Sequence, residues 1–152
     1  MIDPTVRRAG PGDVGPLQVL EAEARDALVD ARGGRRWLEE HPIVGTAWSS
    51  AVAARHVFVA VLDVGDDGPL DVGYLVLDLD GGIARVDQVY VTADARELGF
   101  GDALLEAATE AATAAGAEVL EGQALPGDRD TKNLYERAGI TARLITVSRR
   151  LA

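Results

Sequence analysis

An α/β fold on a mixed central sheet is predicted by three features of the sequence. Apolar residues recur at helical spacing in two long stretches, from Val14 to Leu28 and from Leu104 to Ala115. Short runs rich in Val, Ile, Leu and Tyr lie before, between and after them. Three of those runs follow one another through tight turns, as a meander does. The predicted order is β-α-α-β-β-β-α-β-α-β.

The elements are justified in turn. Val6-Arg7-Arg8-Ala9 reads as a first strand, ended by Gly10-Pro11-Gly12. Asp13 stands where an N-cap carboxylate would accept the orphan amides of a helix start. Val14, Leu17, Leu20, Ala24 and Leu28 carry that helix to about Ala31, and Gly33-Gly34 stops it. Arg35 to Glu40 is a short second helix halted before Pro42, and residues 43–54 stay undecided between helix and loop. Val57 to Leu62 is a strand, Gly65-Asp66-Asp67-Gly68-Pro69 a turn, and Val72 to Leu77 the return strand. After Asp80-Gly81-Gly82 the run Ile83 to Val91 places apolar groups on both faces, as a central strand covered on two sides requires. Arg96 to Gly101 opens a helix whose stripe is Leu104, Leu105, Ala108, Ala111, Ala112 and Ala115, with Gly116 in the position of a left-handed cap. Ala117 to Gln123 is a strand, Asp130 to Ala138 a last helix, and Ile140 to Arg150 a final strand. Neither repeats nor linkers break the order, so residues 1–152 are read as one domain.

Composition narrows the function. The chain has 15 basic and 25 acidic residues, a net charge of −10, and no cysteine. A surface of that sign repels a nucleic-acid backbone, so no nucleic-acid partner is expected. Without cysteine there is neither disulfide nor thiolate chemistry. The longest apolar run, Val57 to Leu62, is far short of a membrane span, and residues 1–8 have no signal-peptide character, so a cytoplasmic protein with no membrane partner is expected. The excess of arginine over the single Lys132, with abundant Ala, Gly, Val and Asp, suggests a bacterial origin.

Several chemistries fail on residues alone. Lys132 is not preceded by the glycine of a P-loop. A dinucleotide fingerprint from Gly99 would need a small residue where Leu104 stands. A calcium loop from Asp63 would put Gly65 and Tyr74 at ligand positions. Ser49, Ser50 and Ser148 lie outside any nucleophile elbow. His41 and His56 stand apart with no ligand cluster, and no metal is expected.

The informative stretch runs from Val86 to Leu105. A central strand enters a loop with glycine at 99 and 101, and the loop opens a helix. Glycine leaves the backbone open to a ligand, and the first amides of the helix point outward with the positive end of its dipole behind them. The result is a cradle for a diphosphate. The pattern Arg96-x-x-Gly99-x-Gly101, after Val89-Tyr90-Val91 and before Ala103-Leu104-Leu105, resembles the acyl-CoA-binding motif of the GNAT N-acetyltransferase family. Val6 to Ala9 before Asp13 resembles the family's opening, and Leu134-Tyr135-Glu136-Arg137-Ala138-Gly139-Ile140 its late Leu-Tyr-Glu-x-x-Gly-Phe motif. The likeness is weakest between Arg32 and Arg55.

The resemblance implies a mixed, mainly antiparallel sheet of six to seven strands, flanked by about four helices and splayed between strands 4 and 5. It implies an enzyme that moves an acetyl group from acetyl-CoA to a primary amine by direct attack in a ternary complex. Val89, Tyr90 and Val91 would line the pantetheine arm. Arg96, Glu97, Leu98, Gly99, Phe100, Gly101 and Asp102 would hold the diphosphate, and Asp128 would contact the pantetheine. Tyr135 would protonate the departing thiolate, with a proton affinity near that of the thiol. Asp87 is the first choice of base and Glu121 the second, because Gln123 stands where some relatives carry a basic glutamate. Leu98 and Asp102 replace residues that are often basic or hydroxylic, and Glu97 adds charge beside an anion, so modest cofactor affinity is expected. Arg129 and Lys132 are candidates for the 3′-phosphate. Asp66, Asp67, Asp71, Asp78 and Asp80 would favour a cationic amine if they faced the cleft. Trp37 and Trp48 would line an acceptor pocket or pack as core. Two other readings stand beside this one: a sensor that binds acyl-CoA without turnover, and an enzyme acting on protein or peptide amines. A homodimer is left open.

Overall fold

The meander closes as its turns dictate. In the computed structural model, which describes residues 3–151, β1 (Thr5–Arg8), β2 (His56–Asp63), β3 (Pro69–Asp80) and β4 (Ile83–Val91) pair antiparallel in chain order. β5 (Val119–Gly122) joins β4 in parallel, after the crossover through a helix that a parallel pair requires. The helices are α1 (Val14–Leu28), α2 (Gly34–Glu40), α3 (Trp48–Ala54), α4 (Phe100–Ala114) and α5 (Arg129–Arg137).

Alternation along the strands builds two cores. Val57 and Val59 of β2, with Tyr74 and Val76 of β3, face Leu17 and Leu20 of α1 and Trp48 of α3. Phe58 and Ala60, with Leu75, Leu77, Ala84 and Val86, face Leu104, Leu105 and Ala108 of α4 and Leu134 and Tyr135 of α5. A sheet apolar on both faces needs cover on both, which explains why the central strands read as continuous apolar runs.

Three expectations are corrected. The sheet has five strands and not six to seven: residues 141–151 are exposed and join no strand. There are five helices, because Trp48–Ala54 is helical. Its entry is fixed by a distant residue. Glu21 on α1 is 1% exposed and its carboxylate accepts from the Val44 amide (2.8 Å), the Gly45 amide (2.9 Å) and Trp48 Nε1 (3.1 Å). Trp48 is therefore core, whereas Trp37 stacks on His41 at 4.2 Å. Asp13 stands at the N-cap of α1, but its side chain accepts from none of that helix's amides. Its oxygens accept two bonds from the Arg7 guanidinium (2.7 and 2.8 Å) and one from the Gly10 amide (2.7 Å), because that fork is a stronger partner than a helix amide. Asp71 lies against this pair, 3.5 Å from Arg7, its side chain 8% exposed and one oxygen without a partner. Burial, and then Asp13, push its carboxyl up to about 7.

Candidate active site

The site begins at an irregularity in β4. Val76 pairs with Gln88 and Leu77 with Val86, so Asp87 is an extra residue, a bulge. β5 pairs with β4 only at Ile83–Val86, below the bulge. From Asp87 to Val91, β4 continues past Gly122, the last residue of β5, with no strand beside it on that side. Backbone register shows what lines the opening. The Thr92 amide donates to the Val72 carbonyl at 2.8 Å, which puts Tyr90 opposite Tyr74 in the hydrogen-bonded phase of the ladder. Val89 and Val91 therefore turn their N–H and C=O groups towards the opening. The Tyr90 backbone is committed to β3, and its ring lies on the α1 side, tilted against Tyr74 at 6.5 Å. Val89 and Val91 side chains pack into the α4 core.

The opening ends at the N-terminus of α4. Glu97 has φ +65° and Gly99 φ +91°, two left-handed residues that swing the chain into the helix; the first is a strained state for a residue with a side chain. The amides of Glu97, Leu98 and Gly99 donate to no backbone acceptor among the loops and turns of the described residues. Those of Phe100 to Asp102 precede the first carbonyl that an α-helical bond could reach. Leu98 is half-buried and Phe100 fully buried against the α4 core, so both anchor the cradle while their amides face outward. Gly101 has a second reason to be glycine: a Cβ there would stand 3.0 Å from Leu134 of α5.

Charge at the cradle differs from a simple count. Asp102 is met by Arg137 Nε at 3.1 Å, so the acidic residue expected to oppose an anion is paired. Arg96 is held on three sides: Nε donates to the Val91 carbonyl at 3.1 Å, Nη1 meets Asp130 at 3.0 Å, and the guanidinium lies 5.6 Å over the Tyr90 ring. Lys132 lies 4.0 Å from Glu136.

Tyr135 reaches β5 from α5. Its side chain enters the space above Gly122, where a Cβ would stand 2.5 Å from the phenolic oxygen. Burial, followed by the charges of Asp128 and Asp87, holds its phenol well above the ordinary value, and the Gln123 backbone opposes them. Asp128 is the N-cap of α5: it accepts from the Thr131 amide at 3.2 Å and the Thr131 hydroxyl at 2.7 Å. Asp87 does not stand free. Arg55 Nη2 lies 3.1 Å from it, while the same guanidinium forks onto Asp78 at 2.6 and 2.8 Å. Glu121 is one residue below the last β4–β5 pair, opposite Arg85, and 3.7 Å from Arg143. The charges of Asp128 and Asp87 thus both reach the Tyr135 phenol, whereas Glu121 lies in the paired part of the sheet. Of the turn aspartates only Asp78 adjoins Asp87, through Arg55. Asp66 and Asp67 are exposed, Asp71 is buried elsewhere, and Asp80 faces Arg85. The sequence reading missed Arg55, Arg137 and Gly122, whose roles depend on partners 32 to 35 or 13 positions away, and no local pattern marks them.

Among the described residues no helix is long and apolar enough to cross a membrane, and no group of three or more His, Cys, Asp or Glu could hold a metal.

A bulged strand that runs on past its parallel neighbour and leads through a loop into a helix start is the frame of an acetyltransferase-type α/β fold. The family model described as the acetyltransferase (GNAT) domain matches residues 53–139, more than half of the chain, and the protein belongs to that family. None of the curated proteins matches the chain in sequence. Among solved structures, a point mutant of the BH1408 protein from Bacillus halodurans superposes with a TM-score of 0.77 at 18% identity, over 97% of this chain and 99% of that one. The aminoglycoside acetyltransferase AAC(6')-Iy, solved with a bisubstrate analogue of CoA and an acetylneamine, gives 0.66 at 17% identity over 97% and 99%. A ribosomal-protein-alanine N-acetyltransferase from Brucella melitensis biovar Abortus 2308 gives 0.65 at 19% over 100% and 99%. At these identities the likeness is one of fold.

Proposed function

We propose that residues 1–152 act as one acetyltransferase domain that moves an acetyl group from acetyl-CoA to a primary amine in the bacterial cytoplasm, by direct attack in a ternary complex. The observation that carries this reading is the edge of β4 at Val89 and Val91, which no strand pairs and where only the Val91 carbonyl is taken, by Arg96, and which leads into the free amides of Glu97–Asp102. A diphosphate fits those amides: they are fixed dipoles that need no reorganisation to meet negative charge, and Arg137 relieves the one carboxylate on the first turn.

Acetyl-CoA, when bound, supplies an activated acetyl thioester. The chain's residues do the rest. Val89 and Val91 orient the acyl arm through their backbone groups. The acceptor ammonium loses a proton towards Asp87, directly or through water. The amine nitrogen then forms the C–N bond as the C–S bond breaks, and Tyr135 Oη gives its proton to the departing sulfur. The second proton, shed by the new amide nitrogen, returns to the phenolate through water, and Asp87 releases its proton to solvent. A phenol raised by burial keeps that proton at rest. The same burial raises the proton affinity of a thiolate leaving beside it, so the two stay matched. Asp87 shared with Arg55 and Asp78 leaves two carboxylates to one guanidinium, an excess of one negative charge that favours a cationic amine.

Thiol release from acetyl-CoA against a panel of small amines and peptides tests the reading, with Tyr135→Phe and Asp87→Asn as controls. Acceptor-dependent release lost in both variants supports it, and preference within the panel separates small amines from peptide amines. Binding of acetyl-CoA with no acceptor-dependent release would support the sensor instead. The Arg55–Asp87 pair favours that second reading, because it occupies one oxygen of the proposed base.

A further inference from the structure

Arg55 joins α3 to β2 and is fixed at both of its backbone groups. Its amide donates to the Ala51 carbonyl at 2.8 Å, and its carbonyl accepts from Arg8 Nη2 of β1 at 3.2 Å. His56 pairs with Leu77, so Arg55 falls level with Asp78, one place past the end of that ladder. The bulge in β4 brings Asp87 within reach of the same guanidinium. The two carboxylates share it unequally. Asp78 takes the fork: Nε donates to Oδ1 at 2.8 Å and Nη2 to Oδ2 at 2.6 Å. Asp87 is met by Nη2 on Oδ2 at 3.1 Å. The Nε of an arginine has one hydrogen, so while Asp78 accepts it no such fork can form on Asp87. Arg85 stands opposite Asp78 in register but lies 3.5 Å from Asp80, which leaves Arg55 as the cation that Asp78 engages.

On the reading that Asp87 takes the proton of the acceptor ammonium, this division has a consequence for the reaction. A fork bonds both oxygens of a carboxylate and is the strongest pairing a guanidinium makes. An arginine keeps its charge, so it cannot release a carboxylate by losing a proton. With nothing else to hold it, Arg55 would close on Asp87 and occupy both oxygens. We infer that Asp78 is a positioning residue: its fork with Arg55 restricts the guanidinium to Oδ2 of Asp87 and leaves Oδ1 open to the acceptor. Arg55 then orients Asp87 without capturing it. The loop and helix that deliver Arg55 belong to the stretch in which the family likeness is weakest, so this arrangement is a property of this chain.

Asp78→Leu tests this, because leucine keeps the size of the side chain and accepts no hydrogen bond. A crystal structure of the variant should show Nε and Nη2 of Arg55 both on Asp87. Its kcat for thiol release should fall about 10- to 100-fold, the worth of the added hydrogen bond between charged groups that must break before a proton is accepted. The KM for acetyl-CoA should not change. Asp78→Asn, a milder substitution that keeps one acceptor, should fall between. Arg55→Met added to Asp78→Leu removes the guanidinium and should return most of the lost kcat, which a merely structural role of Asp78 would not produce. Loss of turnover in Asp87→Asn with full turnover in Asp78→Leu overturns this inference and leaves Asp87 standing as the base. Full turnover in Asp87→Asn, or none in the natural chain, refutes the base itself and this inference with it. A double variant no faster than Asp78→Leu, or an Arg55 that does not close on Asp87 in the crystal, overturns it as well.

Discussion

Gly122→Ala is the most demanding test of the proposed role of Tyr135. A methyl group at residue 122 would lie 2.5 Å from Tyr135 Oη and 2.6 Å from Cε1, where ordinary contact begins at 3.4 Å. The obstruction is the body of the ring and not a flexible tip, and Gly122 is held in register with Val86. The ring must therefore move by about 1 Å, and with it the hydroxyl. A displacement of that size at a proton donor costs on the order of 100-fold in rate. Overpacking of the core costs about 1 to 3 kcal/mol of stability beside it. The assay is steady-state thiol release at saturating amine, with acetyl-CoA affinity by calorimetry and a thermal melt on the same sample. The expected pattern is a kcat lowered about 100-fold, unchanged acetyl-CoA affinity and a modestly lower Tm. Because both changes act on one hydroxyl, Gly122→Ala added to Tyr135→Phe should lower kcat little further. A Gly122→Ala enzyme with unaltered kcat would refute the reasoning, since the phenol would then act from any position or not at all.

Other expectations follow from the charges. Asp71, raised from 3.8 to about 7 by burial and by Asp13, binds its proton more tightly folded than unfolded. Stability should accordingly fall as pH rises from about 4 to 7. Asp13, lowered chiefly by its bonds to Arg7, acts in the opposite sense and loses its contribution as pH drops below 3.8. Asp71→Asn should flatten the first limb and raise stability at pH 8 by no more than about 4 kcal/mol, read by urea melts; equal stability of the natural chain at pH 5 and 8 would contradict the assignment. Arg137→Ala leaves Asp102 unpaired on the first turn of α4, so acetyl-CoA affinity by calorimetry should fall about fivefold, roughly 1 kcal/mol, and Asp102→Asn in the same chain should restore it. Asp87→Asn should lower kcat by at least about 100-fold and leave acetyl-CoA affinity by calorimetry unaltered. Glu121→Gln, in the closed part of the sheet, should leave both unchanged; the reverse result would move the base to β5.

Much of this molecule is local in origin. The meander follows from turn chemistry between β-rich runs, α4 from its apolar stripe, and the proposed diphosphate cradle from a strand, a loop with glycine at 99 and 101, and a helix start, all within twenty residues. Such features are legible because period and turn type are set by neighbours along the chain. Pattern could not show which charges meet. Asp13 was read as a helix cap because its position fits one, and Arg7 claimed it across a turn. Asp102 was read as opposing an anion, and Arg137 of α5 answers it. Asp87 was read as the first choice of base, and its ion pair with Arg55 at 3.1 Å was not foreseen.

The C-terminal segment marks the boundary most clearly. Its residues state a preference for extended backbone, but a strand exists only where another offers hydrogen bonds, and a single chain places none beside it. By itself, then, the sequence determined the order of elements from β1 to α5 apart from α3, together with the family motif and the glycine-bearing loop before α4, since these depend on short-range periodicity and conformational preference. Tertiary structure alone decided the bulge that opens the cleft, the pairing of its charges and the space that Gly122 leaves for Tyr135. Those rest on contacts between residues far apart in the chain, and the packing of the whole sheet sets their distances.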